Sequence, residues 1–479
     1  MKKMLAFMST VLAVLFMSTG PVSAEENTYD RIYMITVDRF LNNNTSNDIG
    51  VTADGDPYYP FGGDFDGVKP YLEYIKDMGF NTVMLSPVTE RAEDDYLGYD
   101  VTDYGAISEA YGSPEDFNNL IGEAHELDMK VIVDMPAVAT DDYTALESPV
   151  FNDVQADYYE DIGREIIDLN DADNQETYRA MVQNFIDTYD VDGISMFVNQ
   201  DGLNAEEFMP EGIETYGILS TGELTSEGFD TTASEQFRAE LAETYGGINQ
   251  DIPEFPEDQQ LIMADHWFSE RFTHHAAEQN MFPGTRVQQL VNYLYAYRGP
   301  IAMTYGTEVA FNGSEYPEVH PQMDFRSDKE VIEFMENIAV VYRNHEIMQS
   351  PESETETILN EAGQYLVKYY TDDVDYLLNI NNTTETQSNT LKQTAEEEGK
   401  VLSGMLIGDM IRPHEGEFIA VLDREETELY SIIDEAGFNN GYLYAAVLIF
   451  GIFAVFVWVA ASRSKKARLQ REQNEQNNK

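Results

Sequence analysis

Residues 192–198, Asp-Gly-Ile-Ser-Met-Phe-Val, constrain the fold of this chain more than any other stretch. They follow a helix-like run over 176–190 and read as a short buried strand. Asp-Gly, an apolar residue and then alternation are how a strand enters a parallel barrel and carries its last side chains into a cleft at its C-terminal end.

The same kind of unit recurs. A strand over 32–37 ends in Asp38-Arg39-Phe40, a helix over 68–78 leads into a strand over 82–87, and a helix over 114–127 leads into a strand over 130–134. Strand, helix and strand in this order make a βαβ unit and a parallel sheet. Further apolar runs lie at 217–221 and 260–264. With 479 residues, 43% of them hydrophobic, the chain can bury a large core and hold more than one domain. Beyond His345 the pattern changes to short strands with turns, as at 365–370 and 374–380, which suits an antiparallel domain ending near Val421.

The two ends read differently. Lys2 and Lys3, an apolar run over 4–17 and Val22-Ser23-Ala24 make residues 1–24 a secretory signal, with the mature chain starting at Glu25. A second run, 441–461, carries no charge and is long enough to cross about 30 Å of hydrocarbon as a helix. Arg463, Lys465, Lys466, Arg468 and Arg471 follow it, which places the C-terminus in the cytoplasm and the globular part outside the cell membrane. The chain has no cysteine, so disulfides, thiolate metal sites and a cysteine nucleophile are excluded. Lys and Arg number 28 against 88 Asp and Glu, a net charge of −60 that repels phosphates and argues against a nucleic-acid partner.

Within this frame several motifs resemble the α-amylase superfamily, glycoside hydrolase family 13. They are Asp192-Gly193-Ile194-Ser195-Met196-Phe197, Tyr96-Leu97-Gly98-Tyr99, Gly222-Glu223 after the 217–221 run, and Asp265-His266-Trp267-Phe268-Ser269-Glu270-Arg271-Phe272. Residues 299–308 match the eighth strand and 328–344 the last barrel helix. The resemblance implies a (β/α)8 TIM barrel over 25–350, a small inserted domain at about 140–168 after the third strand, and a C-terminal antiparallel β-domain over 351–422. An acidic linker (423–440), a transmembrane helix (441–462) and a basic tail (463–479) would complete the chain.

The opening loop resembles that of cyclodextrin glucanotransferases and maltogenic amylases. It implies a calcium site at Asn42, Asn44, Asn47, Asp48, the Gly62 carbonyl and Asp64, and oxygen donors on a flexible loop are what a hard cation needs. Asp168 would belong to a second calcium site, weakened because Val138 stands where the family has Asn. By the same resemblance Glu223 is the general acid, and Tyr99, Trp267 and Arg271 contact substrate.

The two aspartate positions depart from the pattern. Phe197 stands at the nucleophile, Phe268 at the aspartate that steadies the distorted sugar, Ser195 at the arginine, and Ala139 at a substrate-binding histidine. A retaining glycosidase needs two carboxyl groups about 5–5.5 Å apart, and Phe197 supplies neither attack nor protonation. Asn199 and Asp201 lie past the strand end and are weak substitutes. Tyr99, Phe197, Trp267 and Phe268 either fill the vacated cleft as core or stack on a sugar ring. The resemblance therefore implies a non-hydrolytic member, with an α-glucan or oligosaccharide as the ligand it could bind. The rivals are an active α-glucan hydrolase with relocated carboxylates and an assembly partner of another envelope protein.

Overall fold

The computed structural model describes residues 29–139, 143–327, 329–345, 348, 350, 353–435 and 440–477. The expected signal segment lies outside them. Eight parallel strands close a barrel in chain order: β1 Arg31–Ile35, β2 Thr82–Leu85, β3 Lys130–Asp134, β4 Gly193–Val198, β5 Glu214–Leu219, β6 Thr231–Ala233, β7 at Leu261 and Ile262, and β8 Ile301–Thr304. Tyr33 faces Val83 on one side and Met303 on the other, so β1 lies between β2 and β8, and β7 closes the circle by pairing with β6 and β8. Closure leaves no free edge and buries every side chain of β2 and β4.

Two barrel strands are shorter than sequence periodicity suggests. β6 is three residues, Thr-Thr-Ala, with no apolar run to announce it. β7 pairs through only Leu261 to Ala233 and Ile262 to Ile301. It ends where Arg238 Nη1 donates 3.0 Å to the Ala264 carbonyl and turns the chain away. The helix expected over 68–78 is interrupted: Phe65–Val68 and Leu72–Asp77 flank a 3-10 turn containing Pro70, whose nitrogen has no hydrogen to donate.

Between the strands run amphipathic helices with legible starts. Pro114–Glu126 opens at Pro114 behind a Ser113/Asp116 capping box, and buries Phe117, Leu120, Ile121 and Ala124, one stripe at helical spacing. The insertion after β3, expected to be irregular, contains a helix, Asp153–Ile162. Asn152 accepts from Gln155 N at its start, and Gly163 ends it at φ 67°, a left-handed position that favours glycine. Bridges from Val138 to Ile166 and from Ala145 to Ile167 fasten this insertion to the end of β3.

The C-terminal domain extends further than expected. Glu426–Asp434 is not a linker but an inner strand of a six-stranded antiparallel sheet, between Asp375–Asn381 and Lys400–Gly404. Its charged residues disguise it, but Leu429 and Tyr430 are fully buried and Glu428 takes the N–H groups of residues 405–408. Arg286 joins this domain to the barrel, donating to the Gly247 carbonyl at 2.9 Å and to Glu425 at 2.7 Å. Beyond the sheet a single helix runs from Asn440 to Asn477. Its span Ala446–Ala467 has a mean hydropathy of 2.1 and none of it is buried, so by length and composition it can cross a membrane.

Candidate functional site

Side chains alternate along a strand, so Ser195 and Phe197 share one face of β4 and point to the barrel interior near its C-terminal end. Phe268 arrives from the loop after β7, and the two rings meet edge to face with centroids 4.9 Å apart. Tyr99 packs on Phe268 at 4.9 Å, and Tyr158 and Tyr159 of the Asp153–Ile162 helix come within 5.6 and 6.2 Å of it. Trp267 and His266 close on Phe197 from the other side. Edge-to-face packing of this kind adds to the area each ring buries. Phe268 and Trp267 are 0% exposed, Tyr99 1% and Phe197 4%. The cleft position is a sealed aromatic plug.

The positions expected to contact substrate lie inside this plug or beneath it. Arg271 is buried as well, with Nη2 on the Tyr305 carbonyl and Nε 3.8 Å from Asp265. Asp134, the last residue of β3, accepts from the Tyr99 hydroxyl at 2.6 Å and from Ser195 at 2.8 Å. Glu223 sits elsewhere, exposed in the turn after β5 and without a side-chain hydrogen bond among the described residues. Asn199 is committed to Gln155, Ser220 and the Val150 carbonyl. Asp201 is exposed and holds Thr225 through backbone and hydroxyl.

Sequence reading missed two parts of this site. Tyr158 and Tyr159 come from the inserted segment, where the only signal was an adjacent aromatic pair. The second part is a buried charge cluster: Glu235 accepts from Arg238 Nε at 2.6 Å and from His266 Nε2 at 3.1 Å, and Phe268 N–H donates to His266 Nδ1. Burial works against the Glu235 charge, yet the Arg238 and His266 donors outweigh it and hold the carboxyl at about 2. Burial lowers His266 below the ordinary histidine range, so Arg238 is the cation that balances Glu235.

The asparagine loop is compact. A Cβ at Gly62 would lie 2.5 Å from Asn42 Nδ2 and 2.7 Å from Asp48 Oδ1, so these side chains close on the Gly62 backbone. Asn42 Oδ1 and Asn47 Oδ1 are buried with no hydrogen-bond partner. Such orphaned oxygens fit a hard cation. Asp64 and Asn44 are already committed: Asp64 accepts from the N–H groups of Asn43, Asn44 and Gly67, and Asn44 accepts from Ser46. Asp168 accepts from Asn170 N, and the described residues hold no cluster of three or more His, Asp or Glu suited to a metal.

Asp134 supplies a pH test. Burial pushes its carboxyl up to about 7 against the pull of its two hydroxyl donors. Because the folded pKa lies above the unfolded one, the stability it contributes is fully present below the ordinary carboxylate range and lost as pH rises through about 7. A displacement of that size corresponds to on the order of 4 kcal/mol. In Asp134→Asn the amide can satisfy both hydroxyls without titrating. Urea unfolding from about pH 4 to about pH 8 should show the wild type losing stability relative to this variant as pH rises; parallel curves would mean that Asp134 does not titrate in this range.

Comparison with known proteins agrees with this architecture. The α-amylase catalytic-domain family matches residues 34–196 and the α-amylase C-terminal-domain family matches 354–430. Alpha-amylase 3 of Schizosaccharomyces pombe is 25% identical over 426 residues, covering 75% of this chain and 73% of the relative. The crystal structure of an Anoxybacillus α-amylase superposes with a TM-score of 0.75 at 27% identity, over 86% of this chain and all of that one. The Geobacillus thermoleovorans α-amylase, solved with acarbose, gives 0.72 at 23% identity, again over 86% of this chain and all of that one. The two family matches fall on the first half of the barrel and on the antiparallel sheet, and the solved amylases span both and what lies between. The chain belongs to the α-amylase superfamily, glycoside hydrolase family 13.

Proposed function

We propose that this protein is a non-hydrolytic member of its family that binds α-glucan or oligosaccharide at the outer face of the cell membrane. One observation carries the reading: the side chains that converge above β4 and β7 are the rings of Phe197 and Phe268, 4.9 Å apart and sealed. No attacking carboxylate can act from there. Binding is supported by kinship, since a protein of this fold was solved with acarbose and another with maltose. Display on the membrane is supported by the apolar span Ala446–Ala467 and the basic residues that cluster at its C-terminal end and beyond. One experiment on intact cells addresses both. Cells carrying the protein should retain a fluorescent maltodextrin, and added protease should strip it while sparing an epitope placed after Lys479. Absence of retention would contradict glucan binding, and loss of the epitope would contradict the orientation.

Calcium belongs to the same proposal. Asn42, Asn47, Asp48 and the Gly62 carbonyl would hold the ion, which would tie the two ends of the opening loop together and add stability. A ligand that binds only the folded state contributes about 2.7 kcal/mol at a hundredfold excess over its dissociation constant. Chelator should therefore lower the melting temperature of the wild type and leave Asp48→Ala, which keeps the Asp64 backbone ties, almost unmoved. A wild-type melting curve indifferent to chelator would remove the site.

A further inference from the structure

We propose that Tyr58 and Tyr59 form a glucan-stacking platform at the barrel mouth, outside the sealed cleft; this rests on the glucan-binding reading above. Among the described residues outside the C-terminal helix, only these two and Phe282 are exposed aromatics, Tyr58 at 47% and Tyr59 at 39%. Phe282 stands alone beside a helix start, whereas the tyrosines are adjacent and built in place.

What builds them in is Arg39, itself 0% exposed. Its Nη1 donates 3.1 Å to the Tyr59 carbonyl and its Nη2 2.6 Å to the Pro57 carbonyl. The guanidinium lies 4.0 Å from the Phe61 ring and 3.7 Å from the Tyr96 ring, so it cannot swing. Asp56 then takes the Tyr58 N–H at 3.1 Å. A fully buried cation thus spends its donors on a loop that presents two rings to solvent.

The platform continues into the plug. Tyr58 meets Tyr316 edge to face at 5.4 Å, and Tyr316 packs on Tyr158 at 5.4 Å and donates to Asp161 at 2.7 Å. With the Tyr58 ring packed on Tyr316 and the Tyr59 backbone fixed by Arg39, the pair loses little conformational freedom when a ligand stacks on it. The faces of a pyranose ring carry C–H groups that suit an aromatic surface. With a net charge of −60 the surface favours a neutral ligand over an anionic one, which an α-glucan satisfies. The sealed cleft leaves the rim as the place where such a chain can lie.

The test uses the full-length protein in detergent micelles and maltoheptaose, with affinity measured by calorimetry. The Tyr58→Ala/Tyr59→Ala variant should bind at least about tenfold more weakly, since tenfold is 1.4 kcal/mol and two stacked rings exceed that. The variant should stay folded with only a modest fall in melting temperature, because both side chains are partly in solvent and, among the described residues, only Tyr58 makes a ring contact. The Tyr58→Trp/Tyr59→Trp variant should keep or tighten binding, so a loss there would overturn stacking. Undiminished binding by the alanine variant would overturn the platform and leave glucan recognition standing at another site. No binding by the wild type would overturn the glucan reading, and the platform with it.

Discussion

Full-length protein is expected to release no reducing ends from maltooligosaccharides above the level of a Glu223→Gln variant, with calcium or with chelator. Double displacement requires one carboxylate to attack the anomeric carbon and a second carboxyl to protonate the departing oxygen. By the family pattern the attacking position would be Phe197 and the position that steadies charge Phe268, and both rings are buried in the aromatic plug. Asp134 borders the plug, but its two oxygens are taken by Tyr99 and Ser195. Glu235 is held by Arg238 and His266. Loss of the nucleophile alone costs a factor of about 2 × 10⁶ in the protease case where it has been measured. Glu223-dependent release of product would sink this expectation and would mean that a carboxylate such as Asp201 reaches the sugar.

Phe268→Asp is expected to be among the most destabilising single changes in the barrel. Truncating a buried phenylalanine to alanine costs about 3–5 kcal/mol through lost burial and the cavity left behind. At this position four rings, Tyr99, Tyr158, Tyr159 and Phe197, lose their common neighbour. Aspartate adds a carboxylate among buried aromatic rings, which either ionises at high cost or takes up a proton. Against a total stability of about 5–15 kcal/mol that is a large share. Restoring the family pattern with Ser195→Arg, Phe197→Asp and Phe268→Asp together should therefore unfold the barrel before it revives chemistry. Denaturant unfolding checks this: a Phe268→Asp midpoint within about 1 kcal/mol of the wild type would show that the ring does not sit in a sealed plug.

The asymmetry between these predictions follows from what each substitution removed. Replacing a catalytic carboxylate by a ring abolishes an attack, and it also converts a wet, charged cleft into apolar area that the fold can bury at about 25 cal/mol per Å². Once Tyr158 and Tyr159 of the inserted helix have closed over Phe268, the former cleft is part of the core that holds the insertion against the barrel. On the proposed non-hydrolytic reading, the loss of chemistry and the burial of these rings have the same structural origin, so reversal is not a matter of one residue.

Much of the molecule was determined by local sequence. The Asp-Gly start and apolar run of 192–198, the helix from Pro114 and the long uncharged run 441–461 could each be read because strand, helix and apolar span depend on residue type over a few positions. Only the tertiary structure decided the rest. β6 and β7 are strands because their neighbours supply partners, not because three or two residues prefer extension. Glu426–Asp434 is an inner strand because the N–H groups of residues 405–408 offset the cost of burying Glu428. Tyr99, Tyr158 and Phe268, far apart in the chain, seal the cleft together, and Tyr158 reaches it only because the inserted helix folds back over the barrel. Burial and long-range pairing belong to the whole fold, so no window of sequence contains them.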